Sequence, residues 1–245
     1  MKIRTKIYFA SDFHLGSPNY DESLKREKRI CNWLTQISQD AKELYLVGDL
    51  FDFWFEYDKV IPKGFERIKG KLAELSDLGI KIIFFNGNHD LWTFGYFEKE
   101  LGVKVYKKPQ VFKINNKLIY VAHGDGLGRG NFSYKMIKKI YLNTLCQFLF
   151  AITPSYIGIS IAKYLSNSSR KKNLNYPKKN IHAPLIEYSK KILKNKKIDY
   201  FIFGHLHDPK IIELNQYSKY VNLGDCVKHF SYAELDGESL ILKNF

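Results

Sequence analysis

Cysteine is scarce in this 245-residue chain: Cys31, Cys146 and Cys226 stand far apart, odd in number and without a C-x-x-C pair. Their scarcity excludes a disulfide-stapled scaffold and a cysteine zinc or redox motif, and it predicts reduced, mostly buried thiols in a cytosolic protein. An unbroken apolar run of membrane-spanning length is also missing. The longest candidate, Ile140 to Leu165, has Lys163 as its single charge, but Asn143, Gln147, Pro154 and Gly158 interrupt it. It reads as a pair of amphipathic helices, not a span. Met1 to Ala10 carries Lys2, Arg4 and Lys6 ahead of a short apolar run, yet Asp12 and His14 follow at once, which marks a buried strand and not a secretion signal. There is no internal repeat and no low-complexity tract, although residues 167–180 are polar and Lys-rich and read as a loop.

Acidic residues are lacking in one place only. Between Gly126 and Ile198 there are 15 Lys plus Arg and a single acid, Glu187, so the other residues hold 24 of the chain's 39 bases and 24 of its 25 acids. The net charge of +14 therefore belongs to one segment, and the body is neutral. With 45% hydrophobic residues the chain can bury one proper core. We expect a catalytic domain from residues 1–125 and 199–245, carrying a basic, apolar helical insertion at 126–198.

Several short apolar, β-branched or aromatic runs end abruptly in polar motifs: Lys6 to Ala10, Leu44 to Val47, Ile80 to Phe85, Leu118 to Ala122, Tyr200 to Phe203 and Tyr220 to Leu223. Each predicts a buried strand. Between them, Ile30, Trp33, Leu34 and Ile37 mark one helix, and Phe65, Ile68, Leu72 and Leu75 mark another that ends near Gly79. After Tyr217 the chain is expected to finish in short strands turning at Gly237. Alternating strands and helices predict an α/β layered fold, in which ligands bind at the carboxyl ends of strands.

The polar motifs occupy those ends. In order they are Asp12-Phe13-His14, Gly48-Asp49 with Asp52, Gly87-Asn88-His89-Asp90, His123-Gly124-Asp125 and Gly204-His205-Leu206-His207, and they hold five of the seven histidines. Any one alone is better explained as a hydrogen-bonded turn; five in series are not. Carboxylate, imidazole and amide oxygen together suit Mn²⁺, Fe²⁺ or Zn²⁺ better than Ca²⁺ or Mg²⁺. Asp52, Asp90 and Asp125 are expected to brace the ligands and their loops. His182 and His229 fall outside the motifs and read as structural or surface residues.

This motif series resembles that of the calcineurin-like metallophosphoesterases. The resemblance implies a four-layer α/β/β/α sandwich with a helical lid insertion, and two divalent ions. It implies that Asp12, His14, Asp49 and His207 hold one ion, while Asp49, Asn88, His123 and His205 hold the other. Asp49 then bridges, and a shared carboxylate lets two cations sit roughly 3.5–4 Å apart, as in-line phosphoryl transfer requires.

Ser11-Asp12-Phe13-His14-Leu15-Gly16, Gly48-Asp49-Leu50-Phe51-Asp52-Phe53-Trp54 and His123-Gly124-Asp125-Gly126-Leu127 are similar to the UDP-2,3-diacylglucosamine diphosphatase family of lipid A biosynthesis. That resemblance implies Mn²⁺-assisted hydrolysis of the UDP-sugar at its α-phosphorus, giving UMP and 2,3-diacylglucosamine 1-phosphate (lipid X). It also implies a cytoplasmic enzyme of Gram-negative bacteria, peripherally bound to the anionic inner membrane. Catalysis would rest on Asp49 and His89, and substrate contacts on Asn88, His89, Tyr134, Ser169 and Arg170. One departure is His89, where several members carry Arg. A His there could act as a general acid, but the leaving group is itself a phosphate with second pKa near 6, so a cation would suffice.

The insertion suits such a substrate. Phe132, Met136, Ile137, Ile140, Tyr141 and Leu145 recur at helical spacing and Phe148 to Phe150 extend the apolar surface, beside Arg170-Lys171-Lys172 and the lysines from Lys190 to Lys197. A core helix would give the same spacing; a lid for acyl chains and an anionic surface would also explain the charge. Two other readings compete. Another metallophosphoesterase, such as a phosphodiesterase or nuclease, is one, but a nuclease would place its cations among polar and stacking residues, which this segment does not do. A non-catalytic scaffold on the same fold would not need every ligand position filled.

Overall fold

The computed structural model describes residues 4–130, 132–161 and 180–245. Its strands are β1 (Lys6–Ala10), β2 (Ala41–Val47), β3 (Lys81–Phe85), β4 (Lys104–Tyr106), β5 (Gln110–Ile114), β6 (Lys117–Ala122), β7 (Tyr200–Phe203), β8 (Lys210–Glu213), β9 (Lys219–Asn222), β10 (Ser231–Asp236) and β11 (Ser239–Asn244). They form a six-stranded sheet, β11-β10-β1-β2-β3-β4, and a five-stranded sheet, β5-β6-β7-β9-β8. Its helices include α1 (Tyr20–Ile37), α2 (Glu66–Asp77), α3 (Tyr96–Leu101), α4 (Phe132–Tyr141), α5 (Thr144–Ile152) and α6 (Ala183–Leu193).

Strand periodicity explains the layering. Ile7 and Phe9 of β1 point one way, with Tyr45, Val47, Ile83 and Phe85, onto Ile119, Val121, Ile202 and Val221 of the second sheet. Tyr8 and Ala10 point the other way, with Leu44, Leu46, Ile82 and Phe84, onto Trp33 and Leu34 of α1, Leu72 of α2 and Phe97 of α3. The outer face of the second sheet, Tyr120, Phe201, Phe203 and Tyr220, is covered by Leu185 with Ile186, Tyr188 and Ile192 of α6. Helix, sheet, sheet and helix follow in that order, the expected four layers. Full burial of each such Leu, Ile or Phe contributes roughly 1.5–3 kcal/mol, against about 1 kcal/mol for a typical helix cap.

Local signals set the helix ends. Asn19 caps α1 by accepting from Glu22 N at 3.0 Å, and Gly79, at φ +79°, follows the end of α2. Phe65, expected inside the second helix, instead stands before it at φ +65°. Asn143 accepts from the amides of Leu145 and Cys146 and starts α5, which separates it from α4; helix resumes over residues 155–161 after Pro154, so the pair expected between Ile140 and Leu165 is α5 and that segment. Neither α4 nor α5 has a buried residue, so the core-helix alternative fails. No helix among the described residues is long and apolar enough to cross a membrane. Only Cys226 of the three cysteines is buried; Cys31 and Cys146 are half-buried, because the faces of α1 and α5 that carry them lie at the edge of packing.

The insertion divides in two. α6 lies within 126–198, yet it is the fourth layer of the sandwich, whereas α4 and α5 stand outside the core. Phe150 anchors the pair to the body, its ring 4.8 Å from both Trp92 and Phe55, and Trp92 Nε1 donates to the carbonyl of Tyr141 at 2.7 Å.

Candidate metal centre

Parallel pairing puts the motifs at one end of the molecule. β1, β2 and β3 run parallel, as do β6, β7 and β9, so the loops after all six open on the same edge of the sandwich. Backbone bonds tie the loops together: Asp12 N donates to Gly48 O at 3.0 Å, Gly204 N to His123 O at 3.0 Å, and Cys226 N to Asp12 O at 3.1 Å.

Two clusters result, with Asp49 shared between them. Asp12, His14 and His207 form one: Asp12 Oδ1 lies 3.3 Å from His207 Nε2 and 3.6 Å from His14 Nε2, and the two Nε2 atoms are 3.3 Å apart. Asp49, His123 and His205 form the other, with Asn88 Oδ1 3.3 Å from His123 Nε2. Asp49 Oδ2 faces both, 3.7 Å from His14 Nε2 and 3.3 Å from His123 Nε2. His89 joins His14 and Asp49 as a third grouping. All seven residues expected to ligate thus converge.

The arrangement fits cations. Asp12 Oδ1 is buried without a hydrogen-bond partner, an uncompensated position for a carboxylate oxygen unless a cation meets it. Five of the converging residues, Asp12, His14, Asp49, His205 and His207, adopt φ between 45° and 68°, a left-handed backbone that side chains rarely accept. The motif glycines make room. A β-carbon on Gly48 would meet His123 Nδ1 at 2.3 Å, and one on Gly204 would meet Asp12 Oδ2 at 2.6 Å.

Charge follows from burial set against neighbours. Burial opposes ionisation of Asp12, but His207 and His14 hold its pKa below the usual carboxylate range. Asp49 is likewise held low against burial by His123 and His89. For His123, burial is outweighed by Asp49, which raises it. Burial takes His205 and His89 down to about 4, so both imidazoles are neutral at pH 7. Anionic Asp12 and Asp49 and neutral His205 are the ligand forms that divalent ions need, whereas His123 would give up a proton as an ion binds.

The bracing residues act in different ways. Asp52 Oδ1 lies 3.5 Å from His14 Nδ1, and the Asp52 carbonyl accepts from His89 Nδ1 at 2.8 Å. Asp90 accepts from Gly87 N and Leu50 N, each at 2.7 Å, and thereby shapes the turn that presents Asp49. Asp125 turns instead to α4, accepting from Tyr134 Oη and Lys138 Nζ. Tyr134 sits with its ring 6.5 Å from that of His205. Ser169 and Arg170 lie outside the described residues. His182 is buried between Tyr220 Oη and Asp208 Oδ2, a structural role.

Sequence reasoning missed Asp225. Its Oδ2 lies 3.5 Å from His207 Nδ1 and 3.1 Å from His229 Nδ1, so His229 also borders the centre. Burial opposes its charge, but His207 and the amides of Lys228 and His229 hold its pKa far below the usual range. The signal was present: Val221-Asn222-Leu223-Gly224-Asp225 repeats the strand-then-Gly-Asp order of Val47-Gly48-Asp49.

Residues 5–209 match the family model described as calcineurin-like phosphoesterase. A UDP-2,3-diacylglucosamine hydrolase of Porphyromonas gingivalis is 38% identical over 261 residues, covering 99% of this chain and 98% of its own. Proteins of the same name are 25% identical in Actinobacillus succinogenes, over 96% of this chain and 97% of theirs, and 27% identical in Pseudomonas fluorescens, over 98% and 95%.

Proposed function

We propose that this chain, which belongs to the calcineurin-like phosphoesterase family and is a metal-dependent hydrolase, cleaves UDP-2,3-diacylglucosamine at its α-phosphorus to give UMP and 2,3-diacylglucosamine 1-phosphate. The proposed ligands are Asp12, His14, Asp49 and His207 for one Mn²⁺ and Asp49, Asn88, His123 and His205 for a second. The observation that carries this reading is the single Asp49 oxygen facing both clusters. Bound there, the ions supply positive charge to the phosphoryl oxygens and acidify water at neutral pH.

The chain's own groups do the rest. His89 N donates to Asp49 Oδ1 at 2.9 Å, which holds that carboxylate with Oδ2 turned to the clusters. His89 Nδ1 is committed to the Asp52 carbonyl, so Nε2 is the atom left for substrate. In its protonated form the ring would offer Nε2–H to a phosphoryl oxygen of the substrate. Tyr134, with Ser169 and Arg170, is proposed to complete the head-group contacts.

The lid is proposed to be the 126–161 part of the insertion. Phe132, Ile140, Leu145, Phe148 and Ile152 are each more than half exposed on α4 and α5, an apolar surface suited to acyl chains. With Lys139 exposed on α4, it suits peripheral attachment to an anionic inner membrane from the cytoplasmic side. The test is turnover with Mn²⁺ on UDP-diacylglucosamine, other nucleotide sugars, cyclic nucleotides and single-stranded DNA. Preferred cleavage of the diacylated substrate is expected. Preference for DNA would make the protein a nuclease, and no cleavage of any would make it a scaffold.

A further inference from the structure

The two halves of the centre are supported by different chemistry. Behind His123, Nδ1 donates to a neutral group, the carbonyl of Val47, at 2.8 Å. Behind His207, Nδ1 faces the carboxylate of Asp225 at 3.5 Å, and that carboxylate is 3% exposed. Asp225 is itself fixed from several sides. Its Oδ1 accepts from the amides of Val227, Lys228 and His229 at 2.9, 2.6 and 3.0 Å, and its own carbonyl accepts from Ser231 N at 3.1 Å. The next residue, Cys226, donates its amide to the Asp12 carbonyl, so one short loop grips two of the residues in the same cluster.

We propose that Asp225 is the positioning residue of His207, fixing it as an Nε2 ligand and giving the Asp12–His14–His207 half a higher cation affinity than the Asn88–His123–His205 half. A carboxylate acceptor at Nδ1 keeps the proton on that nitrogen, leaves the Nε2 lone pair toward Asp12 Oδ1, and makes the ring a better donor. The halves also differ in ligand charge. The first has Asp12 and Asp49 with Asp225 behind, while the second has Asp49 with a neutral amide and two imidazoles, the buried Asp125 nearby being already paired with Lys138. Filling is therefore sequential, the Asp12 half first. This inference rests on the two-ion reading above.

The test titrates metal-free protein with Mn²⁺, following free ion by electron paramagnetic resonance, and repeats it with Co²⁺, whose visible absorption reports each ligand set. Wild type is expected to show two unequal sites. Asp225→Asn keeps the volume and an oxygen for the backbone amides but loses the charge, and it is expected to weaken the tighter site by 10- to 100-fold. The weaker site should move less than threefold. Ser231→Ala, which removes the hydroxyl that donates to Leu223 O in the same loop, should leave both sites unchanged. In a His207→Ala background Asp225→Asn should have no further effect on cation affinity. Equal weakening of both sites, or the same selective loss from Ser231→Ala, overturns the proposal in favour of a loop-packing role, and so does unchanged binding in Asp225→Asn. Absence of cation binding by wild type would instead overturn the two-ion reading.

Discussion

A β-carbon placed on Gly87 would come within 2.1 Å of Oδ1 of Asp49, so that carboxylate lies directly against the backbone of the Gly87-Asn88 turn. Gly87→Ala is expected to displace Asp49 and cost at least one of two bound ions, with turnover down by two orders of magnitude or more. Gly70, an exposed helical glycine whose β-carbon would meet nothing, is the contrast. Gly70→Ala should raise stability by about 0.5–1 kcal/mol and leave metal content unchanged. Denaturant melts and elemental analysis of both variants decide the matter.

The shared oxygen of Asp49 predicts an asymmetry between aspartates. Asp49→Asn should weaken both sites, whereas Asp12→Asn should weaken chiefly the site completed by His14 and His207. Elemental analysis after limiting Mn²⁺ is the measurement. Two full sites and normal turnover in Asp49→Asn would falsify the bridge.

Burial lowers the pKa of His89 from 6.5 to about 4 in the metal-free protein. Below pH 6.5 the unfolded chain takes up this proton and the folded one does not, so stability falls with pH between about 6.5 and 4 and levels off outside that window. Compared with His89→Gln in chelator, wild type should lose about 1.4 kcal/mol per pH unit there, since groups common to both cancel. Parallel stability curves across that range would mean that His89 titrates normally.

His89 should also separate by charge in catalysis. His89→Arg is expected to keep much of the activity on a diphosphate at neutral pH, while His89→Ala loses roughly 10²-fold or more. Equal inactivity of both, with an activated ester still cleaved, would favour proton donation over charge.

The exposed apolar surface of α4 and α5 makes a prediction that distinguishes lipid binding from structure. Ile137 and Ile140 are 45% and 53% exposed, so Ile137→Asn with Ile140→Asn should change stability by no more than about 0.5 kcal/mol per site. Turnover of the diacylated substrate should fall, since each buried acyl methylene contributes about 0.8 kcal/mol, while a lipid-free phosphodiester is cleaved as before. Tyr141 is left in place because its ring packs 5.6 Å from Trp92. Equal damage to both substrates with metal retained would remove the lipid reading.

By itself the sequence determined the central strands and the residues that converge, because both obey local rules. A strand buried on two faces needs an unbroken apolar run, as in Tyr200 to Phe203, and its end is where polar residues can begin again, as Gly204-His205 does. The short or edge strands β4, β5 and β8 bury too little to leave such a run, and the six-residue α3 is too short to display a period, so these were not legible. What α6 and α4 do was decided only by tertiary structure. Both have apolar residues at helical spacing beside lysines, yet Leu185 of α6 is buried on the second sheet while Ile140 of α4 faces outward. Periodicity reports that a helix has an apolar face, never what covers it. The same holds for Asp225 and His207, which lie 18 positions apart in the chain. Their pairing exists because β7 and β9 are parallel neighbours whose ends meet, a relationship that no stretch of sequence contains.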